Sequence, residues 1–373
     1  MRISKDAGQA AVLGARREVY VQDDWRISKN LTINLGGRWD YESPYTERYN
    51  RSNAGFDPSS ASPIKAPGLD VKGGLLFASS GQRLMYPRDL NNFQPRIGVA
   101  WKLTGKTVFR GGYGLSFIPT NVTNITTQTQ GFSTSTPFVA SNDNTNTIPT
   151  GRLANPFPNG FVTPAGNSLG LATFAGQSFT YIDQTRTQPA IHQFSAGFQQ
   201  ELPGHILIDA SYVGSRTHGL GVGKQIDDVT AAQLALGTTY LNTSVPNPFS
   251  GLLPSTALNG TNTTRRQLLR PYPQFTGITR NETPIGYEWY NSFQLQVQKR
   301  LSNGFHAMLT YTYSTTMGAV SYLNNQFSDS QLERARVAED LPHRASILAG
   351  YELPFFKGSH GMKLLASVNA KFH

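Results

Sequence analysis

Two short stretches of the chain resemble parts of nucleotide-binding or catalytic motifs, and both are incomplete. Gly105-Lys106-Thr107 matches the end of a phosphate-binding loop, but the glycine expected five residues before Gly105 is replaced by Ala100. The stretch 114–118 has a glycine and a serine in the order of a nucleophile elbow, but it lacks the second glycine. The sequence therefore predicts neither a nucleotide site nor a serine-hydrolase site.

The titratable side chains form no recognisable catalytic or metal-binding group in the sequence. Asp23 and Asp24 are adjacent, and on a strand they would point to opposite faces, so they could not act on one substrate. The seven histidines are dispersed, and no His-Glu-x-x-His motif occurs. We interpret His306 as a polar residue on a strand face. We expect no enzyme activity, no cofactor and no metal site.

Composition narrows the class of protein further. The absence of cysteine excludes disulfides and thiolate metal sites. The net charge is +10, but apart from pairs such as Arg16-Arg17 the basic residues are scattered, so no nucleic-acid partner is predicted. A charged fraction of 15% with 36 glycines and 22 prolines argues against a helical protein. No apolar run reaches the roughly 18 residues of a transmembrane helix.

Alternation of apolar and polar residues is the dominant pattern of the chain. From Phe293 to Leu301 every second residue is mostly apolar, whereas the residues between, from Ser292 to Arg300, are serine, glutamine and arginine. The alternation resumes after Asn303-Gly304, which predicts a two-faced hairpin. Four more hairpins bring the total to about ten long strands, at 18–27 with 31–42, 94–103 with 107–118, 192–202 with 205–216, and 343–355 with 362–372.

The lengths of the strands and of their connections favour a membrane barrel. Strands of about 9–12 residues match a tilted crossing of a bilayer, whereas soluble strands are typically about half as long. Lipid requires every backbone group to be paired, which strands achieve in a closed barrel. The sequence thus predicts an all-β, antiparallel up-and-down transmembrane β-barrel, here partial, with short turns at one end. At the other end we expect long extracellular loops, which are 44–93, 119–189, 217–287 and 317–342.

The two faces of such strands would meet different surroundings. The apolar stripe would face lipid and the polar stripe a wet lumen, with aromatic girdles formed by Trp25, Trp39, Tyr41, Trp101, Tyr113, Tyr311 and Tyr313. A soluble β-sandwich is an alternative, because alternation does not say which face is buried.

Arginines on the polar stripe are the candidates for contact with a plug or an anionic solute. Arg38, Arg96 and Arg110 would all lie there, and they could equally pair with acids such as Asp40 or Glu201. No substrate-binding residue can be assigned, but we expect the long loops to bind the substrate, since loops on a rigid scaffold commonly carry binding.

Four stretches in chain order resemble TonB-dependent outer-membrane receptors, specifically the Oar-like transporters of acidobacterial type. They are YVQDDWRISKNLTINLGGRWDYESPYTERYNR (20–51), NNFQPRIGVAWKLTGKTVFRGGYGLSF (91–117), YNSFQLQVQKRLSNGFHAMLTYTYS (290–314) and DLPHRASILAGYELPF (340–355). The resemblance implies a protein of the Gram-negative outer membrane, in contact with its lipid, that takes up a solute with energy from the TonB complex.

The resemblance also implies parts that would precede this chain. A plug, a TonB box and an N-terminal regulatory-like domain are expected upstream, so we interpret residues 1–373 as part of a barrel domain, cut at both ends. The TonB complex would act through those upstream parts. A passive pore or surface-binding barrel without TonB coupling is the alternative, and neither a small solute, a peptide nor a glycan is favoured as the substrate.

Overall fold

The computed structural model describes most of the chain, and its regular structure is almost entirely strand. The described residues are 2–6, 12–119, 129–138, 141, 143, 145, 147–150, 152, 154–157, 160–322, 329–352 and 363–372. The strands are β1 (Arg2–Asp6), β2 (Val12–Leu13), β3 (Arg16–Arg26), β4 (Leu31–Glu42), β5 (Thr46–Glu47), β6 (Asn53–Ala61), β7 (Lys72–Phe77), β8 (Phe93–Lys102), β9 (Thr107–Phe117), β10 (Ser133–Pro137), β11 (Ser178–Ile182), β12 (Ala190–Leu202), β13 (Ile206–Gln225), β14 (Ser244–Pro246), β15 (Asn262–Thr264), β16 (Gly277–Ser302), β17 (Phe305–Ala319), β18 (Ala335–Arg336), β19 (His343–Glu352) and β20 (Lys363–Phe372).

Helices are few and short in the described part of the chain. Three α-helices have one turn each, Ala231–Leu234, Thr238–Leu241 and Arg265–Leu268, and two 3₁₀ turns cover Gly170–Ala172 and Ala257–Asn259. None of the described helices is long and apolar enough to cross a membrane.

Ten long strands form one antiparallel meander. Their order in the sheet is β3-β4-β8-β9-β12-β13-β16-β17-β19-β20, so each pairs with its neighbour along the chain. The first and the last strand of this path do not pair with each other, and the sheet is therefore open across the described residues. The predicted all-β fold with about ten long strands is confirmed. The predicted strand residues 353–355 and 362 lie outside the described part.

Tight turns join the strands within each described hairpin. Asn303 and Gly304 link β16 to β17 with φ angles of 52° and 77°. Two consecutive residues at positive φ are the mark of a type I′ turn, whose twist matches that of the strands it joins. Gly204 at the β12–β13 turn also has a positive φ, of 80°. All described short turns lie at one end of the sheet, which we call the turn end.

The register of the strands aligns apolar residues with apolar residues, so that each face of the sheet keeps one character across the meander. One row of directly paired residues is entirely apolar across eight strands, and its neighbour along the strands is largely polar. The first row, on what we call the apolar face, is Leu31, Trp101, Phe109, Phe198, Ala210, Leu295, Tyr311 and Ala345. The second, on the polar face, is Arg26, Thr32, Ala100, Arg110, Gly197, Ser211, Gln294, Thr312 and Arg344.

Large side chains of the apolar face are left exposed. Phe293 is 45% exposed and Trp101 is 48% exposed, and neither belongs to a buried apolar cluster of the described residues. A soluble sandwich would bury this stripe under a second sheet. The sandwich alternative is therefore wrong, and the apolar face needs a non-aqueous surrounding.

The buried apolar core lies in the connections at the other end of the sheet. We call the described residues of 44–92, 129–189 and 226–276 the cap. Distant parts of the chain meet there, as when Leu75 packs with Phe275 and Phe179. Two further clusters comprise Ala66, Val71, Ala175, Phe249, Leu253 and Leu258, and Met85, Tyr86 and Ile182. The connections that the sequence presented as polar loops therefore contain folded structure with its own core.

Two central strands rise well beyond the others into the cap. β16 has 26 residues, about 85 Å at 3.3 Å per residue, whereas a bilayer crossing uses about ten. It pairs with β13 as far as Gln225, with register shifts after His218, Leu220 and Val222. The first five residues of β16 also pair in parallel with β11. Part of the segment 217–287, predicted as loop, is thus strand.

Candidate functional site

An ion-pair network occupies the polar face near the cap. Arg38 on β4 donates from Nε to Asp40 Oδ1 at 2.6 Å and also pairs with Glu18 on β3. Arg16 reaches Asp40 Oδ2 at 3.4 Å. Arg38 is thus paired with Asp40, one of the two acids suggested for it from the sequence. Because its charge is neutralised locally, Arg38 is held in place and has little free charge for a solute.

The two other predicted arginines lie on the same face without an ion pair to any described residue. Arg96 pairs in register with Gly36 and Gly114, which places glycines on both sides of it. Arg110 borders a shallow hollow of ≈ 220 Å³, together with Gln199 and Asp209. The three arginines share a face but not a site. Arg96 and Arg110 are left as exposed cations on the polar face.

The remaining sequence candidates occupy ordinary strand and turn positions. Asp23 pairs in register with Leu35 and Asp24 with Asn34, so the two carboxylates point to opposite faces as predicted. Lys106 lies in the turn between β8 and β9. The ring of His306 lies over Gly350, where a side chain would collide with it. No group of three His, Cys, Asp or Glu residues suited to a metal ion exists among the described residues.

Arginine–carboxylate pairs join the cap to the first residues of β16. Arg186 contacts Glu282 at 3.7 Å and stacks on Tyr86, with 4.2 Å from its Cζ to the ring centroid. Arg280 contacts Asp183 at 3.3 Å. Since buried charges are tolerated when they are paired, these contacts hold the connections in one arrangement.

Two adjacent acids of the cap, Asp227 and Asp228, form a second group of arginine–carboxylate contacts. Asp228 receives two hydrogen bonds from Arg266, at 3.1 and 2.9 Å. Asp227 is fully buried, accepts from the Tyr272 amide at 3.0 Å and lies 3.7 Å from Arg270 Nη1. Burial raises the pKa of Asp227 to about 7, although Arg270 opposes the shift. The buried pair of Asp227 and Arg270 is therefore sensitive to pH near neutrality.

A cleft of ≈ 510 Å³ opens in the cap. Its size lies within the range of sites for small ligands, about 300–1,000 Å³. Its wall combines hydroxyl and amide groups with apolar side chains, among them Ile64, Thr134, Phe174, Gln177, Leu253 and Thr256. The cleft joins apolar surface to hydrogen-bonding groups, and it is therefore a suitable place for a solute.

Sequence reasoning did not identify the residues that line this cleft or the residues that form the arginine–carboxylate pairs. The sequence contains one signal for these pairs. The connection between β13 and β16 has two adjacent acids, Asp227 and Asp228, at its start and the arginine-rich stretch RRQLLRP (265–271) near its end. Nothing in the sequence shows that these two stretches meet. Their contact depends on β13 and β16, which pair Gln225 with Thr279 and so bring the two connections to the same end of the sheet.

Comparison with known families agrees with this architecture. The family model described as outer membrane beta barrel domain matches residues 3–370, nearly the whole chain. The chain belongs to this outer-membrane barrel family. Its location is accordingly the outer membrane of a Gram-negative cell, as the sequence resemblance implied. No curated protein sequence matches it significantly.

Solved outer-membrane receptors are similar to the chain over most of its length. The hemophore receptor HasR of Serratia marcescens, solved with its hemophore HasA and heme, is 12% identical with a TM-score of 0.46. The outer membrane transporter YddB from Escherichia coli gives 11% and 0.41, and the alcaligin receptor FauA from Bordetella pertussis gives 11% and 0.40. Each comparison covers 96% of this barrel chain. The barrel chain spans only 44%, 47% and 38% of those chains respectively.

Proposed function

We propose that this outer-membrane barrel chain is part of a TonB-dependent transporter that takes up a solute by energy coupling. The observation that supports the proposal best is the combination of a two-faced sheet with a folded cap at one end. The polar face would line a wet lumen and the apolar face would meet lipid. The cap would lie outside the cell, where its cleft could hold the solute before passage.

The proposed role is transport and involves no catalysis. Coupling to TonB would act through a plug and TonB box carried by other parts of the full-length protein, as the resemblance implies. The exposed Arg96 and Arg110 of the polar face are the residues that we propose to face that plug. The solute is not assigned, because the lining of the cap cleft combines hydroxyl, amide and apolar groups without one dominant chemistry.

Electrical recording on the full-length protein tests the proposal against a passive pore. In planar lipid bilayers a plugged transporter should give no steady conductance, and the periplasmic domain of TonB should bind the purified protein. A stable open channel without TonB binding would contradict the proposal and support the pore. A closed protein that does not bind TonB would also contradict it and favour a surface-binding barrel.

A further inference from the structure

Two arginine side chains converge on one indole ring of the apolar face. The Cζ of Arg334 lies 4.0 Å from the ring centroid of Trp289, and the Cζ of Arg216 lies 5.6 Å from it. Arg216 also lies 5.7 Å from the ring of Phe194. A guanidinium within about 6 Å of an aromatic ring is attracted to it, so the rings hold both cations in place.

Neither of these arginines has an acidic partner within the described residues. Arg216 donates to the carbonyls of Ser215 and Tyr290 and to Asn291 Oδ1, at 2.9, 3.3 and 3.0 Å. No carboxylate lies within 4 Å of Arg216 or Arg334 in the part of the chain that the structure describes. Two like charges are thus gathered at one ring, and none of the described residues supplies a counter-ion, which favours an external anion.

The place of the arginines in the sheet indicates which anion would reach them. Arg216 and Trp289 face each other in register, four residues beyond the Tyr212–Phe293 pair of the apolar face and towards the cap. His192 pairs with Arg216 from the other side, and Tyr212 and Tyr287 lie nearby on the same face. Aromatic and basic residues at the border of an apolar band are typical of the head-group level of a membrane.

We propose that Arg216, Arg334 and Trp289 bind a phosphorylated lipid head group of the outer leaflet. The proposal rests on the membership of the outer-membrane family, and it does not depend on the transported solute. Two phosphate groups on one lipid would complement the two guanidinium groups, since arginine binds phosphate through charge-assisted hydrogen bonds. The acyl chains would lie along the apolar face below, past Tyr212 and Phe293.

The acids that neighbour Arg334 and Trp289 in the sequence do not lie at the proposed lipid site. Glu333 and Glu339 lie in the same connection as Arg334, and together with Glu288 they line a separate cleft of ≈ 600 Å³. Glu288 belongs to the polar face, because neighbouring residues on a strand point to opposite sides and Trp289 lies on the apolar face. The site therefore presents positive charge and aromatic surface towards the bilayer.

Binding of a defined lipid by the full-length protein in detergent micelles tests the proposal. The probe is bisphosphorylated lipid A, compared with the same lipid after enzymatic removal of both phosphates. We expect Arg216→Gln and Arg334→Gln each to weaken binding of the phosphorylated lipid about tenfold or more. The dephosphorylated lipid should bind the parent protein and both variants equally weakly. Tyrosine and tryptophan emission during urea unfolding would check that the variants fold.

Arg265→Gln is the matched control, because Arg265 stacks on Tyr240 at 4.1 Å in the cap, away from the apolar face. It should leave lipid binding unchanged. Equal binding of phosphorylated and dephosphorylated lipid, or an equal loss in the Arg265 variant, would overturn the proposal. Displacement of the lipid by millimolar inorganic phosphate would overturn the assignment to a lipid head group.

Discussion

At the scale of the residue, Asp227 determines how the cap responds to pH. Its pKa of about 7 lies above the ordinary 3.8, so the native state keeps the proton over a range in which the unfolded chain has lost it. The stabilisation that this proton gives is complete below about pH 4 and is lost as pH rises through 7. A shift of this size corresponds to a few kcal/mol.

We therefore expect the cap to open more readily at pH 8 than at pH 6. Asp227→Asn should remove most of that difference, because the amide remains neutral at both values. Hydrogen exchange of the backbone amides of residues 225–276 measures the effect. Asp57→Asn is the control, since hydrogen bonds from Ser60 and Ser59 lower the Asp57 pKa to about 2 and it does not titrate in this range. If the difference in exchange between pH 6 and pH 8 were as large in Asp227→Asn as in the parent protein, Asp227 would not be the group that controls the opening of the cap.

Gly304 gives a second prediction at this scale. Its φ is +77°, and a Cβ there would lie 2.9 Å from the carbonyl oxygen of Glu352. Gly304→Ala should lower the free energy of unfolding by about 1–3 kcal/mol, through backbone strain and this collision. Urea unfolding in lipid vesicles provides the value. Gly105→Ala, in a turn where a Cβ meets nothing within 4 Å, should change it by less than about 0.5 kcal/mol. Equal effects of the two changes would contradict this explanation.

At the scale of the element, the two faces of β16 should tolerate charge very differently. Leu295 and Gln294 are neighbours on the strand, in the apolar and the polar row respectively. Leu295→Arg should cost about 2–4 kcal/mol in a bilayer, whereas Gln294→Arg should cost about 0–1 kcal/mol because its side chain reaches water. Urea titration of both variants folded into vesicles compares the two costs. A larger loss for the Gln294 variant would mean that the faces are reversed.

Local alternation was sufficient to predict the hairpins, because each strand carries its own pattern. Phe293 to Leu301 and the Asn303-Gly304 turn can be read within a short stretch of chain. The cap could not be predicted in this way. Leu75 and Phe275 lie far apart in the sequence, and their packing depends on strands that bring distant segments together. The extension of β13 past Gly219 was hidden by glycines and by register shifts, which interrupt the alternation.

The same difference limits the prediction of the site. The face shared by Arg38, Arg96 and Arg110 follows from strand parity, which the sequence shows. The acid that pairs with each arginine cannot be predicted from strand parity, because the pairing depends on the register between strands and on the course of the loops. Arg38 pairs with Asp40 two residues away on the same strand, whereas Arg270 finds Asp227 across a connection of the cap.

At the scale of the whole molecule, the open edges of the sheet lead to a prediction about solubility. β3 and β20 each have one partner within the meander, so each leaves a row of backbone groups unpaired. A chain of these 373 residues should therefore require detergent and should associate in water, where its apolar face also remains uncovered. Analytical ultracentrifugation with and without detergent would measure this. A monodisperse, water-soluble monomer would be incompatible with our account.

In this fold the apolar face meets lipid while the polar face stays wet. The chain has no cysteine, so single cysteines can be introduced along β16 from 292 to 298 and spin-labelled without background. In vesicles, labels at Phe293, Leu295 and Val297 should be accessible to oxygen dissolved in the bilayer, and labels at Gln294, Gln296 and Gln298 to a water-soluble nickel complex. A reversed alternation, or equal access of both reagents along the strand, would contradict the claim.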